Sequence, residues 1–496
     1  MPSRKKQVIV IGAGMGGLSA ALKLALSGLN VRVLERGHHP GGKLREQHVG
    51  DQAFYTGPTV LTMPWVFEQI FREAGADLGE RVKLHQADVL ARHAWSEAER
   101  LDLFGDHERS ARAIAEFAGA KEADGFRRFA AHAKRVYAAL DGPFIQSQQP
   151  TPVTIFARFG WNGLGELMRI KAVFTLWQAL GSYFKDPRLR QLFGRYATYV
   201  GASPYHAPAT LMLVADVESR GVHAVEGGIH RLPEALAELA VEKGVELSYG
   251  AAVAEILVEG GRARGVRLEN GEQLEADAVI CNADAAALGA GLFGEQAKAA
   301  VAPIPPQKRS HSVVTWNLLA RPVGFPMQYH NVFFPRDYAD EFKAIFEDLR
   351  LPAHPTVYLC AQDRGDPSAP EPTERERMLI VVNAPSRGDS QILSEEEIGR
   401  CGEQVTALLQ HCGLTLAERE DIAVTTPAHF ERAYPASGGA VFGRVNHGWW
   451  GSFDRPGAVT KIERLFTAGG SAHPGPGIPM ASISGRLAAD MVLKNL

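Results

Sequence analysis

Gly12, Gly14 and Gly17 stand in the spacing G-x-G-x-x-G, and Glu35 follows about twenty residues later. The first glycine permits a tight turn, and the second lets backbone approach a pyrophosphate. The third lets a helix pack close to its strand. A carboxylate at Glu35 can accept from ribose hydroxyls, so the chemistry on offer is nucleotide binding. The elements that must position these residues surround them. Val8 to Ile11 is a β-branched run suited to a buried parallel strand, and Ala20, Ala21 and Leu24 continue a helix whose positive end faces phosphate. Val31 to Leu34 supplies a second strand. Arg4, Lys5 and Lys6 ahead of an apolar run mimic a secretory leader, but strand, turn, helix, strand and acid in register argue against one.

A second set of groups suits a diphosphate or a flavin edge. Arg36 precedes the paired glycines Gly41-Gly42, which are followed by Lys43 and Arg45, joining backbone N–H groups to positive charge. An ordinary surface turn is the alternative. Gly57-Pro58-Thr59-Val60 then forms a stiff turn that could lie beside an isoalloxazine ring. At the other end, Leu465 to Ala468 reads as a strand, followed by Gly469-Gly470 and a long final helix. A chain that opens and closes with strand-Gly-Gly-helix units would bring two helix starts to one cofactor, as in an FAD domain interrupted by a substrate domain.

The 496 residues suit about three domains or two large interleaved ones, and 45% apolar with 22% charged residues describes an ordinary globular chain. A net charge of −3 provides no global field for nucleic acid, so none is expected as a partner. Cys281, Cys360, Cys401 and Cys412 form no C-x-x-C pair and read as reduced thiols in a cytoplasmic setting. Histidines show no metal-ligand spacing, and no stretch is apolar enough to span a bilayer.

From Met63 to about Asp216 the pattern is largely helical. Short strands follow at 245–247, 252–257 and 263–268, read as a meander leading to a strand at 278–281. Residues 285–424 mix strands and helices, with a polar Pro-rich loop from Arg364 to Arg375 expected to be exposed. Ile170, Val173, Phe174, Trp177, Leu180 and Phe184 recur at helical spacing beside Arg169, Lys171 and Lys185. That stripe suits a lipid interface or plain core packing equally.

These motifs, with Ala468 to Met480, resemble the FAD-dependent carotenoid desaturases of the phytoene desaturase type, a family within the flavin amine-oxidase fold group. The resemblance covers essentially the whole chain. Leu192 to Gly201, His330 to Phe334 and Tyr358 to Arg364 resemble the branch of 1-hydroxycarotenoid 3,4-desaturases, also called methoxyneurosporene dehydrogenases. One departure is Ser471-Ala472 where the family has Gly-Thr before His-Pro-Gly. The implied fold is α/β, a Rossmann-like FAD domain (1–62, 216–284 and 425–496) interleaved with a mixed α+β substrate domain (63–215 and 285–424). The implied contacts to non-covalent FAD are Gly12, Ala13, Gly14, Met15, Gly16, Gly17, Glu35, Arg36, Gly41, Gly42, Lys43, Arg45, Gly57, Pro58, Thr59, Val60, Val253, Gly469, Gly470, Pro479 and Met480. No metal is implied.

The implied reaction lengthens a polyene. In an acyclic 1-hydroxy carotenoid C4 is allylic and C3 is not, so hydride leaves C4 toward flavin N5 and a proton leaves C3. Such chemistry needs placement and exclusion of water rather than a nucleophile or metal. His473 is a catalytic candidate or a histidine holding its Pro-Gly loop. Arg127 and Glu122 either act in the substrate domain or sit on a solvated helix face. A C1 hydroxyl entering an apolar tunnel needs a partner, with Arg195, Tyr199, His330 and Asn331 as candidates. Expected partners are an acyclic carotenoid, a membrane lipid surface and quinone or oxygen as acceptor, at the inner or photosynthetic membrane. The alternatives are phytoene desaturation, an amine or porphyrinogen oxidase of the same fold, and a non-catalytic lipid-binding escort.

Overall fold

The computed structural model describes residues 5–49, 52–150, 174–365, 372, 374–448 and 451–496. Its frame is a five-stranded, all-parallel sheet in the order Leu465–Thr467, Ala278–Cys281, β1 (Gln7–Ile11), β2 (Asn30–Leu34), Glu246–Ser248. The run in β1 is buried on both sides because its side chains alternate. Val8 and Val10 join a cluster with Leu18 and Ala21 of α1 (Met15–Leu26) and with the C-terminal helix Ile478–Asn495. Ile9 and Ile11 point the other way, into a cluster with Ile256 and Val266 of a three-stranded antiparallel layer, Val253–Glu259, Arg262–Leu268 and Gln273–Glu275. α1 and the C-terminal helix nearly touch, since a Cβ on Gly485 would lie 1.9 Å from the Gly16 carbonyl oxygen.

Two readings of the strands change. Residues 246–248 form the edge of the parallel sheet rather than a meander strand, and the third meander strand is Gln273–Glu275, reached through the Asn270-Gly271 turn. The stretch after Met63 is also less helical than expected. Val89–Ala94 and Arg100–Phe104 pair as a hairpin and complete a seven-stranded sheet whose other members come from residues 312–425. The hairpin hides in the sequence because charged residues face each other across it. Arg92 and Asp102 are direct partners in register, joined by two hydrogen bonds of 2.7 and 2.6 Å.

The aromatic stripe is divided. Leu180 and Phe184 are fully buried with Phe129 and Phe193, which is core packing, whereas Phe174 is 46% exposed. Arg169, Ile170, Lys171 and Val173 lie outside the described residues. The expected exposed loop is anchored at its start, where Arg364 makes two 2.9 Å hydrogen bonds to the buried Glu376.

Candidate flavin and substrate site

Where β1 ends, Gly12 takes φ +94°, a conformation side chains rarely adopt, and its N–H donates to Leu34 O at 2.8 Å. The third glycine behaves as its spacing requires, because a Cβ on Gly17 would lie 2.1 Å from Gly12 O. Gly14 occupies the N-cap of α1 and offers no side chain to cap it, which leaves the helix start, Met15 and Gly16 included, open to an anion. Glu35 plays a part beyond the expected one. Its carboxylate accepts from Ala13 N–H at 2.7 Å and from Gly37 N–H at 2.8 Å, tying the turn to the end of β2. Val253 begins its strand close by, and Ala251 N–H donates to the Glu35 carbonyl at 2.9 Å.

Asn282 is the residue that sequence reading passed over. Following the strand Ala278–Cys281, it donates from Nδ2 to Gly12 O at 3.2 Å. Cβ atoms built on Gly14, Gly16, Gly17 and Gly469 would all meet its side chain, at 3.1, 2.6, 3.0 and 2.7 Å. The N-terminal and C-terminal glycines therefore converge on one amide. The only signal in the sequence is a polar residue at the end of a buried strand.

Three loops close on this cradle. Gly41 N–H donates to Ala13 O at 2.9 Å, and a Cβ on Gly42 would stand 3.5 Å from Gly14 Cα. Of the cations around them, Lys43 turns inward, its ammonium donating to Val441 O at 2.7 Å. Burial lowers its pKa, opposed by the charge of Asp284. Arg36 and Arg45 remain exposed, Arg36 reaching Ala433 O. Gly57 approaches so closely that a Cβ there would lie 1.9 Å from Lys43 O. Pro58 is exposed, and Thr59 Oγ1 hydrogen-bonds Tyr358 OH at 2.5 Å. On the C-terminal side Gly469 N–H donates to Ser484 Oγ at 3.2 Å and Gly470 O accepts from Arg455 at 3.4 Å. Arg455, 1% exposed, also donates to Phe442 O and Asn446 Oδ1, at 2.9 and 3.2 Å, and burial pushes its pKa down to about 10. Ser471 Oγ accepts from Ala285 N–H at 2.9 Å, so a hydroxyl is present one residue before Ala472.

The loops that follow Gly57 and Gly470 also line an apolar cavity. One wall holds Val60, Pro474, Gly477, Pro479 and Met480, and the others hold Phe144, Ile145, Leu211, Leu213, Val214 and Val217. Among the described residues, Glu218 is its sole charged lining group, with Tyr199 beside it. Tyr199 OH donates to Glu218 Oε1 at 2.8 Å, and Tyr196 OH donates to Oε2 at 2.5 Å. Arg195 donates to Tyr199 OH at 3.4 Å. His330 instead meets Tyr358 OH at 2.8 Å, away from the lining, and Asn331 is consumed by backbone, accepting from Gln328 N–H and donating to Gln328 O.

The catalytic candidates separate. Arg127 is exposed, ion-paired to Glu108 and Asp124 at 2.9 and 2.8 Å, and lines no part of the cavity. Glu122 is buried, but it accepts from Lys185 N–H at 3.1 Å and lines no part of the cavity, so it braces one segment against another. His473 is 3% exposed and hydrogen-bonds Phe144 O and Ser147 O at 2.9 and 3.1 Å. Burial pushes its pKa down to about 4, and the neutral ring holds the loop that lines the cavity.

The pieces suit an adenine dinucleotide: an uncapped helix start, a carboxylate at the end of β2, an inward ammonium, and glycines whose Cβ atoms would fill the space. Among the described residues no group of three His, Cys, Asp or Glu could hold a metal ion, and no helix is long and apolar enough to cross a membrane.

Comparison with known proteins agrees with this geometry. A model of the family described as flavin containing amine oxidoreductase matches residues 15–493. The chain is 48% identical over 497 residues to a hydroxyneurosporene desaturase from Rubrivivax gelatinosus, covering 100% of this chain and 94% of that protein. It is 42% identical over 491 residues to a protein of the same name from Cereibacter sphaeroides, covering 99% and 98%. An oxidoreductase structure from Methanosarcina mazei superposes with TM-score 0.61 at 15% identity, covering 98% of this chain and 100% of that one, a likeness of fold alone.

Proposed function

This chain belongs to the flavin containing amine oxidoreductase family, and from that premise we propose that it is a desaturase of the C3–C4 bond of an acyclic 1-hydroxy or 1-methoxy carotenoid. The family indicates a flavin, and the finer reading is FAD held without a covalent bond. That reading draws on Cys281, next to Asn282, whose buried thiol has its pKa pushed up to about 12 and is a poor nucleophile. In the proposed division, residues 1–62, 216–284 and 425–496 hold the cofactor, and residues 63–215 and 285–424 hold the substrate.

One observation carries the proposal. The cavity has a wall of cofactor-facing loop, Val60 with Pro474 to Met480, and is otherwise almost wholly apolar. Bound FAD supplies the acceptor for hydride from C4. The chain supplies placement and dryness: Phe144, Leu211 and Val217 exclude water from the positive charge that grows along the polyene. His473 fixes the Pro474 loop, so that wall stays in register with the turn at Val60. A lipid-soluble substrate favours a peripheral membrane position on the cytoplasmic face, with quinone or oxygen as final acceptor.

The test is a side-by-side assay of 1-hydroxyneurosporene, lycopene and phytoene, following the red shift of a lengthened polyene. The hydroxy substrate should turn over well and phytoene poorly. Equal or faster turnover of phytoene would leave a general carotenoid desaturase, and protein purified without flavin bands would point to a lipid-binding escort.

A further inference from the structure

We infer that Glu218 is the acceptor for a free hydroxyl on the terminal carbon of the substrate and that it makes the enzyme prefer the alcohol to its methyl ether. The inference rests on the proposed desaturation and sharpens it. A carboxylate in an apolar cavity is costly unless its hydrogen bonds are made. Glu218, 5% exposed, spends one lone pair of each oxygen on Tyr199 and Tyr196, and a carboxylate has further acceptor capacity. Glu218 lines the cavity, and in the inferred role that capacity serves what enters it. The two phenol donors hold the carboxylate in one orientation, and the Arg195 guanidinium, bonded to Tyr199, balances its charge.

The position suits the reaction as well as the chemistry. The C1 oxygen lies only a few bonds from C4, so whatever recognises it must share a cavity with the cofactor-facing wall. Glu218 and Tyr199 share theirs with Val60, Pro479 and Met480. An alcohol donates its proton to the carboxylate, whereas a methyl ether has none to donate and strands a buried anion against a methyl group. A site built this way rejects the analogue more strongly than an apolar pocket could. Tyr199 cannot serve the ether equally, since its own proton is already committed to Glu218.

The experiment compares 1-hydroxyneurosporene, 1-methoxyneurosporene and neurosporene in detergent micelles, measuring both kcat/KM and equilibrium binding by quenching of protein fluorescence. The wild-type protein should favour the alcohol over the ether by about 10- to 100-fold, the range for one hydrogen bond to a charged acceptor. Glu218→Gln should bring that ratio below about threefold in both kcat/KM and binding. Tyr199→Phe, which leaves the carboxylate but loosens it, should lower the ratio part of the way and keeps the test open if Glu218→Gln does not fold. Equal use and binding of alcohol and ether by the wild type would overturn the inference. So would a ratio unmoved in both variants, or a Glu218→Gln protein that loses turnover of all three substrates while still binding the alcohol preferentially, since that marks a base. Binding preference without turnover of any of the three would defeat the proposed desaturation and leave the hydroxyl site standing.

Discussion

Replacing Gly14 with valine should remove the flavin and leave the protein folded, a separation that the neighbouring Gly17 cannot give. Gly14 has φ −72° and ψ 171°, an extended conformation open to any residue, and a Cβ there meets only Asn282 Nδ2, at 3.1 Å. The flavin-free protein should accept valine for about 1 kcal/mol, chiefly the difference between a glycine and a valine N-cap. With cofactor the two γ-methyl groups stand over the first amides of α1. Losing two hydrogen bonds to a charged diphosphate costs about 3–6 kcal/mol, or roughly 10²- to 10⁴-fold in Kd. Gly17→Ala is the contrast. Its Cβ would lie 2.1 Å from Gly12 O, where ordinary contact begins at 3.4 Å, so β1 and α1 must part by about 1.3 Å. Overpacking of that kind costs about 1–3 kcal/mol with or without a ligand. Urea unfolding of stripped protein measures the first quantity, and flavin fluorescence titration the second. A Gly14→Val protein with unchanged flavin Kd, or one whose stripped form is destabilised as much as Gly17→Ala, refutes the placement of the pyrophosphate at this turn.

Turnover should proceed with a quinone or under air and should not depend on NAD or NADP, because the proposed function gives the G-x-G-x-x-G turn to FAD; strict nicotinamide dependence in a purified assay would contradict that. Stability should fall between pH 7 and 5, as read by thermal unfolding. Burial holds His93, His330 and His447 near pKa 3, and His311 and His473 near 4. The unfolded chain therefore gains protons below about 6.5 that the native one refuses, at up to about 1.4 kcal/mol per pH unit for each group, so stability is full above that pH and lost as pH falls toward the native values. A flat Tm across this window would mean that those rings are not held neutral. Arg127→Ala should leave flavin content and kcat/KM unchanged, since its guanidinium pairs with Glu108 and Asp124 on an exposed face; a large loss of activity would return it to the site.

The turn from Val8 to Glu35 was legible because its logic is local. A β-branched run, three glycines and an acid within one short stretch leave few backbone paths, and β1, α1 and β2 follow them. The paired glycines at 41–42 and 469–470 were legible for the same reason. Folding decided which cations around them matter: Lys43 turns in toward Val441, while Arg36 and Arg45 stay out. Local pattern could not reveal that Val89–Ala94 pairs with His330–Phe333, because strand pairing depends on which edge is free after the rest of the chain has packed.

The sequence by itself determined the nucleotide turn, the alternation that buries β1 on both faces, and a full-length likeness that names a chemistry. Tertiary structure alone decided that Asn282 meets glycines from both ends of the chain, that Arg455 is caged by backbone carbonyls, and that Glu218 faces an apolar cavity. The physical reason is the range of the interactions. Turn geometry and side-chain period are set by neighbours a few residues away, whereas the burial of a charge or an amide is set by segments hundreds of residues apart, whose approach no local pattern records.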